Sequence, residues 1–239
     1  MQKILSYVRR AVEDYDMIQE GDKISVGVSG GKDSLTAMIA MHELSKFYPK
    51  KFTVCAISID MGFDNMDFTP VKKLCDDLGI EYILKKREIK EIIFDIRKES
   101  NPCSLCAKMR RGALNNLALE AGSNKIVLGH HNDDVLETFF LSLFYEGRIS
   151  CFAPVTYLDR TKVYLLRPMI YVPEKVIRGY VKNAQLPVVH NTCPNDGHSK
   201  RQYMKDLILK LDRENKDLKK HMFTAVKNGK IDGWDIIKK

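Results

Sequence analysis

The sequence predicts an α/β fold with a doubly wound, mainly parallel sheet and a helical C-terminal extension. Apolar runs of strand length alternate with amphipathic segments of helical length through the first half of the chain. The first of these strands runs straight into a turn with two adjacent glycines, at which a helix begins. Alternating strands and helices require right-handed crossovers and a sheet covered on both faces, and such folds bind ligands beyond the carboxyl ends of their strands.

The individual elements are predicted from the same patterns, in chain order. Residues 1–17 combine charged and apolar side chains at helical spacing and predict an N-terminal helix. Apolar runs predict strands at residues 23–28, 52–59, 81–85 and 125–128. Amphipathic segments predict helices at residues 34–47, 68–78, 89–96 and 105–121.

The pattern changes after about residue 145. A stretch punctuated by glycine and proline, residues 146–173, precedes helical patterns at residues 174–183, 200–211 and 215–228. Pro173 stands where the first turn of a helix accepts proline. We therefore predict a domain of residues 1–172, which includes the N-terminal helix, and a helical extension of residues 173–239 packed on it.

The composition is that of a globular protein, with 44% hydrophobic and 29% charged residues. No stretch approaches the roughly 20 apolar residues of a membrane span, so no membrane partner is expected. The N-terminus lacks the apolar core of a secretion signal, which favours a cytoplasmic location. The net charge of +8 favours a polyanionic partner. The six cysteines are irregularly spaced, which indicates metal binding or redox chemistry rather than a disulfide scaffold.

Residues 29–34 form the motif SGGKDS and predict a pyrophosphate-binding loop. Glycines let the backbone adopt positive φ and approach a ligand, while N–H groups at a helix start converge on an anion. The motif is shorter than a Walker A loop, so it is expected to hold pyrophosphate rather than to position a γ-phosphate. A plain glycine-rich turn before a helix is the alternative. The expected ligand residues are Ser29, Gly30, Gly31, Lys32, Asp33 and Ser34.

This motif resembles the PP-loop of the N-type ATP pyrophosphatases, which cleave ATP between the α and β phosphates. The resemblance implies ATP as a substrate and Mg²⁺ as its counter-ion, and it places Asp60 near the adenosine. It also extends to residues 128–134, LGHHNDD, where we expect Gly129 and His130 to contact the nucleotide. Asp133 is expected to bind Mg²⁺ or to position a reacting group. A turn role for Asp60 and helix capping by Asp133 and Asp134 are the alternatives.

The cysteines suggest a second centre. Cys103 and Cys106 form a CxxC pair, which alone serves zinc, iron–sulfur and thiol chemistry alike. The next plausible ligand is Cys193, far along the chain. A structural zinc site with a histidine and a metal-free persulfide relay between Cys103 and Cys106 are the alternatives. We assign no role to the remaining cysteines, Cys55, Cys75 and Cys151.

Taken together, these motifs resemble the tRNA 2-thiocytidine synthetase family over nearly the whole chain. The resemblance implies a [4Fe–4S] cluster held by Cys103, Cys106 and Cys193, with the fourth iron left open. Members of the family commonly carry a second CxxC at the later site, but its first position here is His190. His190 is therefore an alternative third ligand, although we favour Cys193.

The resemblance further implies an ATP-dependent tRNA sulfurtransferase. Such an enzyme adenylates a cytidine of the anticodon loop and replaces its C2 oxygen by sulfur, which comes from sulfide or a cysteine desulfurase. We expect Lys32, Asp33 and Asp133 to act in catalysis by positioning and charge neutralisation. Basic runs at residues 85–87, 108–111 and 200–205 favour tRNA as the partner.

Three rival functions remain open from the sequence. A tRNA 2-thiouridine synthetase is disfavoured because residues 1–50 and 195–239 lack the cysteine pairs usual near its termini. An adenylating ligase such as a tRNA lysidine synthetase has no need for the three cysteines. A non-enzymatic ATP-sensing or iron–sulfur module would bind nucleotide without turnover. The oligomeric state is also open, and a homodimer is one expectation.

Overall fold

A computed structural model gives the fold and describes residues 1–97, 102–189, 192–193 and 200–237. In these residues the strands are β1 (Asp22–Gly27), β2 (Phe52–Asp60), β3 (Glu81–Lys86), β4 (Lys125–Val127), β5 (Val155–Leu158) and β6 (Val163–Leu166). They form one sheet with the spatial order β3-β2-β1-β4-β6-β5. All neighbours pair in parallel except β5 and β6, which are antiparallel. The predicted mainly parallel α/β sheet is confirmed.

The helices of the described chain are α1 (Gln2–Asp14), α2 (Lys32–Phe47), α3 (Thr69–Leu78), α4 (Pro102–Glu120), α5 (Asn132–Tyr145), α6 (Glu174–Asn183), α7 (Lys200–Glu214) and α8 (Leu218–Asn228). A π-helix (Glu91–Ile96) precedes α4 where the sequence predicted an amphipathic helix. Pro173 is the N-cap of α6, one position before the first turn. None of the helices in the described part of the chain is long and apolar enough to cross a membrane.

The strands separate two apolar layers by their alternating side chains. In β4, Ile126 faces one layer and Val127 the other, and in β6 Leu165 and Leu166 do the same. The larger layer is built with α1–α3 and α5–α8, and the smaller one lies under α4. Helix α4 is therefore the described helix that covers the second face of the sheet, and anything bound beneath it lies between α4 and the strand ends.

The order of the strands creates a switch point at β1. The chain moves from β1 outward to β2 and β3 and then returns to β4 on the other side of β1. The loops that leave the carboxyl ends of β1 and β4 therefore lie side by side. In open α/β sheets this is the place where ligands bind.

The edge hairpin β5–β6 was missed by the sequence reading, which predicted no strand in residues 146–173. Each strand has four residues, too few for a clear alternating pattern. Its outward side chains include the aromatic pair Tyr157 and Tyr164, with ring centroids 4.8 Å apart, instead of the polar residues that reveal a half-buried strand. Cross-strand aromatic pairs stabilise such edge strands, but the strands then lack the alternating pattern by which a sequence predicts them.

The last three helices pack on the rest of the fold at different places. Helix α6 contacts α1 and α2, whereas α7 and α8 contact α5. They share the larger apolar layer with the sheet through Ile177, Ile208 and Val226. The division of the chain at residue 172 stays a proposal.

A buried ion pair joins the amino ends of β1 and β4. The Lys125 Nζ lies 2.6 Å from the Asp22 Oδ2, and the two side chains are 8% and 4% exposed. Lys125 also donates to the Met17 carbonyl oxygen at 2.9 Å, and the Asn124 amide donates to Asp22 at 2.7 Å. Because both charges are desolvated, each depends on the other for compensation.

We expect Asp22→Asn to lower the free energy of unfolding by about 3 to 5 kcal/mol, because it leaves the Lys125 charge buried without its partner. Asp77→Asn is the matched control, since Asp77 forms an exposed pair with Lys73 on α3 at 2.9 Å and such pairs contribute little. Urea unfolding of the two variants measures the difference. Equal unfolding midpoints for both variants would contradict the assigned importance of the buried pair.

Candidate active site

The phosphate loop, residues 29–34, connects β1 to α2 and is closed by Ser34. The Ser34 hydroxyl accepts from the Ser29 N–H at 3.1 Å and donates to the Gly31 carbonyl at 2.9 Å. Gly30 has φ +83°, as expected for a glycine that turns the chain. Gly31 has φ −73° and is the N-cap of α2, so positive φ is used at Gly30 and not at Gly31. The N–H groups of the first turn of α2 start here without helical acceptors.

Gly30 is also the place where a distant segment meets the phosphate loop. The Val189 N–H donates to the Gly30 carbonyl at 3.0 Å. A Cβ at position 30 would lie 2.7 Å from the Val189 Cβ, which no side chain tolerates. Val189, four positions before Cys193, is thus packed directly on the phosphate loop.

Gly129 brings the β4–α5 loop against the phosphate loop. A Cβ at this position would lie 2.9 Å from the carbonyl carbon and oxygen of Asp33 and 3.0 Å from the Ser34 nitrogen. The sequence reading attributed this glycine to close approach of the nucleotide. The structure shows a close approach to the backbone at Asp33, and the predicted contact of Gly129 with the nucleotide stays a prediction.

A cavity of about 430 Å³ lies beside these two loops and is called the central cavity here. Ser29, Asp33 and Ser34 line it from the phosphate loop, and Gly129 and His130 from the loop after β4. Its other walls are the ends of the strands and the underside of α4, with side chains that include Met61, Arg110, Arg111, Leu114 and Asn115. The cavity therefore lies beyond the strand ends at the switch point, where ligand binding is expected.

Three side chains of the central cavity carry buried polar atoms that have no hydrogen-bond partner among the described residues. They are the Asp33 Oδ1, the Asn115 Oδ1 and the His130 Nδ1. Buried polar atoms are nearly always hydrogen-bonded in folded proteins. Their presence in one cavity indicates a polar ligand that completes them.

His130 is a neutral group at this site. Its ring stacks on Phe152 with centroids 4.8 Å apart. Burial lowers the pKa of His130 to about 4, Asp134 opposes this shift, and Arg167 and Arg201 add to it. At neutral pH the imidazole is uncharged, so one ring nitrogen accepts a hydrogen bond while the other donates one.

Lys32 of the phosphate loop is held by two carboxylates. Its Nζ lies 2.7 Å from the Asp33 Oδ2 and 3.1 Å from the Glu174 Oε1. Burial lowers the pKa of Lys32, but Asp33 and Glu174 outweigh it and leave the pKa raised. The sequence reading missed Glu174, because an acidic residue in the first turn of a helix is ordinary and gives no sign of a distant lysine.

Asp60 and Asp133, two of the predicted site residues, do not face the central cavity. The Asp60 Oδ1 accepts from the Gly62 N–H at 2.9 Å, which is the turn role weighed as its alternative. Asp133 accepts from the Glu174 N–H at 2.7 Å and from the Lys219 Nζ at 2.8 Å, so both of its oxygens have protein donors. Its neighbour Asp134 lines the cavity instead.

Of the predicted cysteine ligands, Cys106 lies beside the central cavity and contacts Met61 in its wall. Cys103 and Cys106 are in the first turns of α4, and the Cys106 thiol donates to the Met61 sulfur at 3.9 Å. Burial raises the pKa of the Cys106 thiol, Arg110 lowers it, and the nearby Cys193 and Cys103 thiols raise it. Cys193 and Cys106 also pack against one apolar cluster with Met61.

The three thiols are neighbours, but no group of three or more His, Cys, Asp or Glu side chains within the described ranges is arranged as a ready-made metal site. The alternative ligand His190 lies outside the described residues. The ligand set of Cys103, Cys106 and Cys193 therefore stays a prediction.

Comparison with known proteins agrees with this geometry. The family model described as the PP-loop domain matches residues 2–211. The tRNA-cytidine(32) 2-sulfurtransferase of Citrifermentans bemidjiense is 37% identical over 95% of this chain and 90% of its own length. The enzyme of that name from Pelobacter propionicus is 38% identical over 92% of this chain and 83% of its own length. The chain belongs to the tRNA-cytidine(32) 2-sulfurtransferase family of PP-loop enzymes. The predicted family and enzyme class are confirmed.

Solved structures support the fold of this sulfurtransferase family member. The U34-tRNA thiolase NcsA from Methanococcus maripaludis, solved with its [4Fe–4S] cluster, superposes with a TM-score of 0.75 at 23% identity, over 93% of this chain and 76% of that one. The NH3-dependent NAD synthetase of Campylobacter jejuni superposes with a TM-score of 0.53 at 19% identity, over 95% and 91%. At these identities the two structures establish a shared fold.

We expect Gly129→Ala to destabilise this sulfurtransferase family member by about 2 kcal/mol or more, since the added Cβ meets backbone atoms that cannot turn away. Gly112→Ala is the matched control, because a Cβ there meets no atom within 4 Å and alanine is the better helix former. Thermal unfolding of both variants gives the comparison. A Gly129→Ala protein as stable as the control would show that the two loops are not in tight contact.

We also expect the stability that Glu174 contributes to disappear in acid. Burial raises the pKa of Glu174, but Lys205, Arg178 and Lys32 lower it to about 2 from an ordinary 4.5. A carboxyl with a lowered folded-state pKa contributes fully above its unfolded pKa, and the contribution is lost as the pH falls through the folded value. The stability gap between wild type and Glu174→Gln should therefore shrink between pH 4.5 and about pH 2. Urea unfolding across this range measures the gap, and a constant gap would contradict the assignment.

Proposed function

We propose that this protein uses ATP to adenylate a cytidine in the anticodon loop of tRNA and then replaces its C2 oxygen by sulfur, giving 2-thiocytidine. One observation carries the proposal. The central cavity extends from the phosphate loop to Met61, whose sulfur contacts Cys106. An activation site in the cavity, with a thiol beside the cavity wall, fits a reaction in which the activated base meets sulfur without leaving the protein.

The phosphate loop and its surroundings fit ATP with Mg²⁺. The free N–H groups at the start of α2 and the Lys32 ammonium suit the leaving pyrophosphate. The buried Asp33 Oδ1 lacks a hydrogen-bond partner among the described residues and suits a hydrated Mg²⁺. Asn115 and His130 offer unpaired buried atoms to the nucleotide or to the target base. Asp60 and Asp133 would support the site from outside the cavity.

The first chemical step joins the base to AMP. The C2 carbonyl oxygen of the cytidine attacks the α-phosphate of ATP, the bond between the α and β phosphates breaks, and pyrophosphate leaves. Loop amides and Lys32 would neutralise the charge that moves onto the pyrophosphate. Helix α4 closes the cavity on one side, where it limits the access of water to the adenylated base.

The second step replaces the activated oxygen. Hydrosulfide attacks C2 of the base with its own electron pair, the bond from C2 to the adenylated oxygen breaks, that oxygen leaves with AMP, and the sulfur loses its proton to solvent. Arg110 and Arg111 line the cavity between the phosphate loop and the cysteines, where they would hold the phosphate groups of AMP and tRNA.

The thiols of Cys103 and Cys193 are close enough to raise the pKa of the Cys106 thiol, and three such thiolate donors fit a [4Fe–4S] cluster in the chemistry of the donor set. Cys103, Cys106 and Cys193 would hold the cluster, which supplies an iron without a protein ligand as the carrier of incoming sulfur. NcsA, a thiolase of the same fold, is described with such a cluster. Sulfide would provide the sulfur, either directly or after a thiol reductant releases it from the persulfide of a cysteine desulfurase, and a tRNA substrate fits a cytoplasmic location.

The test combines metal analysis with the reaction. We expect anaerobically purified protein to contain iron and sulfide, to release pyrophosphate from ATP when tRNA is present, and to form 2-thiocytidine detectable by nucleoside mass spectrometry. Cys106→Ser should abolish 2-thiocytidine and leave the affinity for MgATP unchanged. Cys55→Ser is the matched control, because that buried thiol already lies 3.2 Å from the Ser25 hydroxyl and accommodates a serine.

Several results would contradict the proposal. Zinc without iron would exclude the cluster, and 2-thiouridine or lysidine in place of 2-thiocytidine would identify one of the rival enzymes. Nucleotide binding with no pyrophosphate release in the presence of tRNA would indicate a sensing module.

A further inference from the structure

The starting point is the ion pair that reaches the phosphate loop from the C-terminal part of the chain. The Glu174 Oε1 lies 3.1 Å from the Lys32 Nζ, and the Glu174 side chain is only 8% exposed. Glu174 is the first residue of α6, which belongs to neither of the two loops of the switch point. A buried carboxylate from a third element therefore contacts the lysine expected to meet the pyrophosphate.

We propose that Glu174 is a positioning residue, which fixes the Lys32 ammonium for pyrophosphate departure and makes α6 part of the ATP site. This inference rests on the proposed function, because it assumes that Lys32 binds the phosphates of ATP. Glu174 itself would touch neither substrate nor product and would act through Lys32.

The position of Glu174 is fixed independently of Lys32. Its backbone N–H donates to the Asp133 Oδ2 at 2.7 Å, and the other oxygen of Asp133 accepts from Lys219 at 2.8 Å. Its carboxylate also contacts Arg178 at 3.0 Å and Lys205 at 2.9 Å. Helices α5, α7 and α8 thus hold the start of α6 in place, and this arrangement gives Asp133 a role without direct contact with the cavity.

Lys32 has two carboxylate partners, and the contact with Glu174 matters because Asp33 also suits a metal ion. Asp33 lies 2.7 Å from the Lys32 Nζ, while its other oxygen has no hydrogen-bond partner among the described residues and lies 3.5 Å from the His131 Nε2. A metal ion bound by this carboxylate would compete with Lys32 for its negative charge and weaken the nearest contact of the ammonium. A lysine side chain regains rotamer entropy on release. Glu174 keeps the ammonium in place while Asp33 changes partner.

If Glu174 positions Lys32, its removal should change kcat, whereas if Glu174 acts only through its charge, its removal should change the KM for ATP. The inference can therefore be tested by kinetics. Removing a negative charge near the phosphates should tighten the binding of ATP, so charge alone predicts a lower KM for ATP. Losing the anchor of Lys32 should slow the step in which pyrophosphate leaves and therefore lower kcat. A purely structural role predicts a lower melting temperature with neither kinetic change.

The experiment measures pyrophosphate release with ATP and bulk tRNA for the holoenzyme. We expect Glu174→Gln to lower kcat by about 10- to 100-fold, with a KM for ATP that is not raised. Glu174→Asp, which keeps the charge on a shorter side chain, should recover part of kcat. Glu43→Gln is the matched control, since Glu43 pairs with Lys46 on α2 at 2.7 Å, and this variant should behave as wild type. Melting temperatures identify variants that fail to fold, and Glu174→Asp carries the test if Glu174→Gln does not fold.

A double-mutant cycle with Lys32→Ala decides whether Glu174 acts through Lys32. In the Lys32→Ala background, Glu174→Gln should have no further effect on kcat. An equal loss of kcat with and without Lys32, or a wild-type kcat in Glu174→Gln while Lys32→Ala is impaired, would overturn the inference and leave the proposed function intact. No tRNA-dependent pyrophosphate release by the wild type would overturn the proposed function, and this inference with it.

Discussion

The contact of Gly129 with the backbone at Asp33 is the constraint on which the rest of the site depends. It is as close as two loops can approach, since a single added carbon would lie 2.9 Å from the Asp33 carbonyl. The strand order makes the contact possible, because the chain leaves β1 and β4 at adjacent points of one edge. With the two loops in contact, the space for a ligand is confined to the side that α4 covers.

A layer of charged side chains supports the phosphate loop from the opposite side. Lys32 pairs with Glu174, the Glu174 backbone N–H donates to Asp133, and Asp133 pairs with Lys219 of α8. Both ion pairs are at least partly buried, so each lysine depends on its carboxylate for compensation. The C-terminal helices therefore contact the sheet through apolar side chains and support the phosphate loop through charged ones.

The sequence predicted the parts of the site that depend on local backbone conformation. It did not predict contacts between residues that are far apart along the chain. The phosphate loop and the Gly129 loop were recognised because glycines and a strand–turn–helix order are local signals. Asp60 and Asp133 do not line the central cavity, and their predicted roles at the nucleotide and Mg²⁺ stay predictions, since a carboxylate's partner is decided by elements that meet only after folding. Glu174 was missed for the same reason, and the hairpin β5–β6 because two strands of four residues are too short for periodicity to show.

Helix α4 has the thiols in its first turns and the wall of the central cavity in its middle. At ~1.5 Å per residue, Cys106 and Leu114 are separated by about 12 Å along the axis, close to two helical turns and to the length of a nucleotide. The helix therefore sets the distance from the Cys103–Cys106 pair to the strand ends. A residue inserted into this interval would rotate the thiols by about 100° around the axis relative to the cavity wall. The length of one helix thus fixes the spacing between the cysteine pair and the wall of the central cavity.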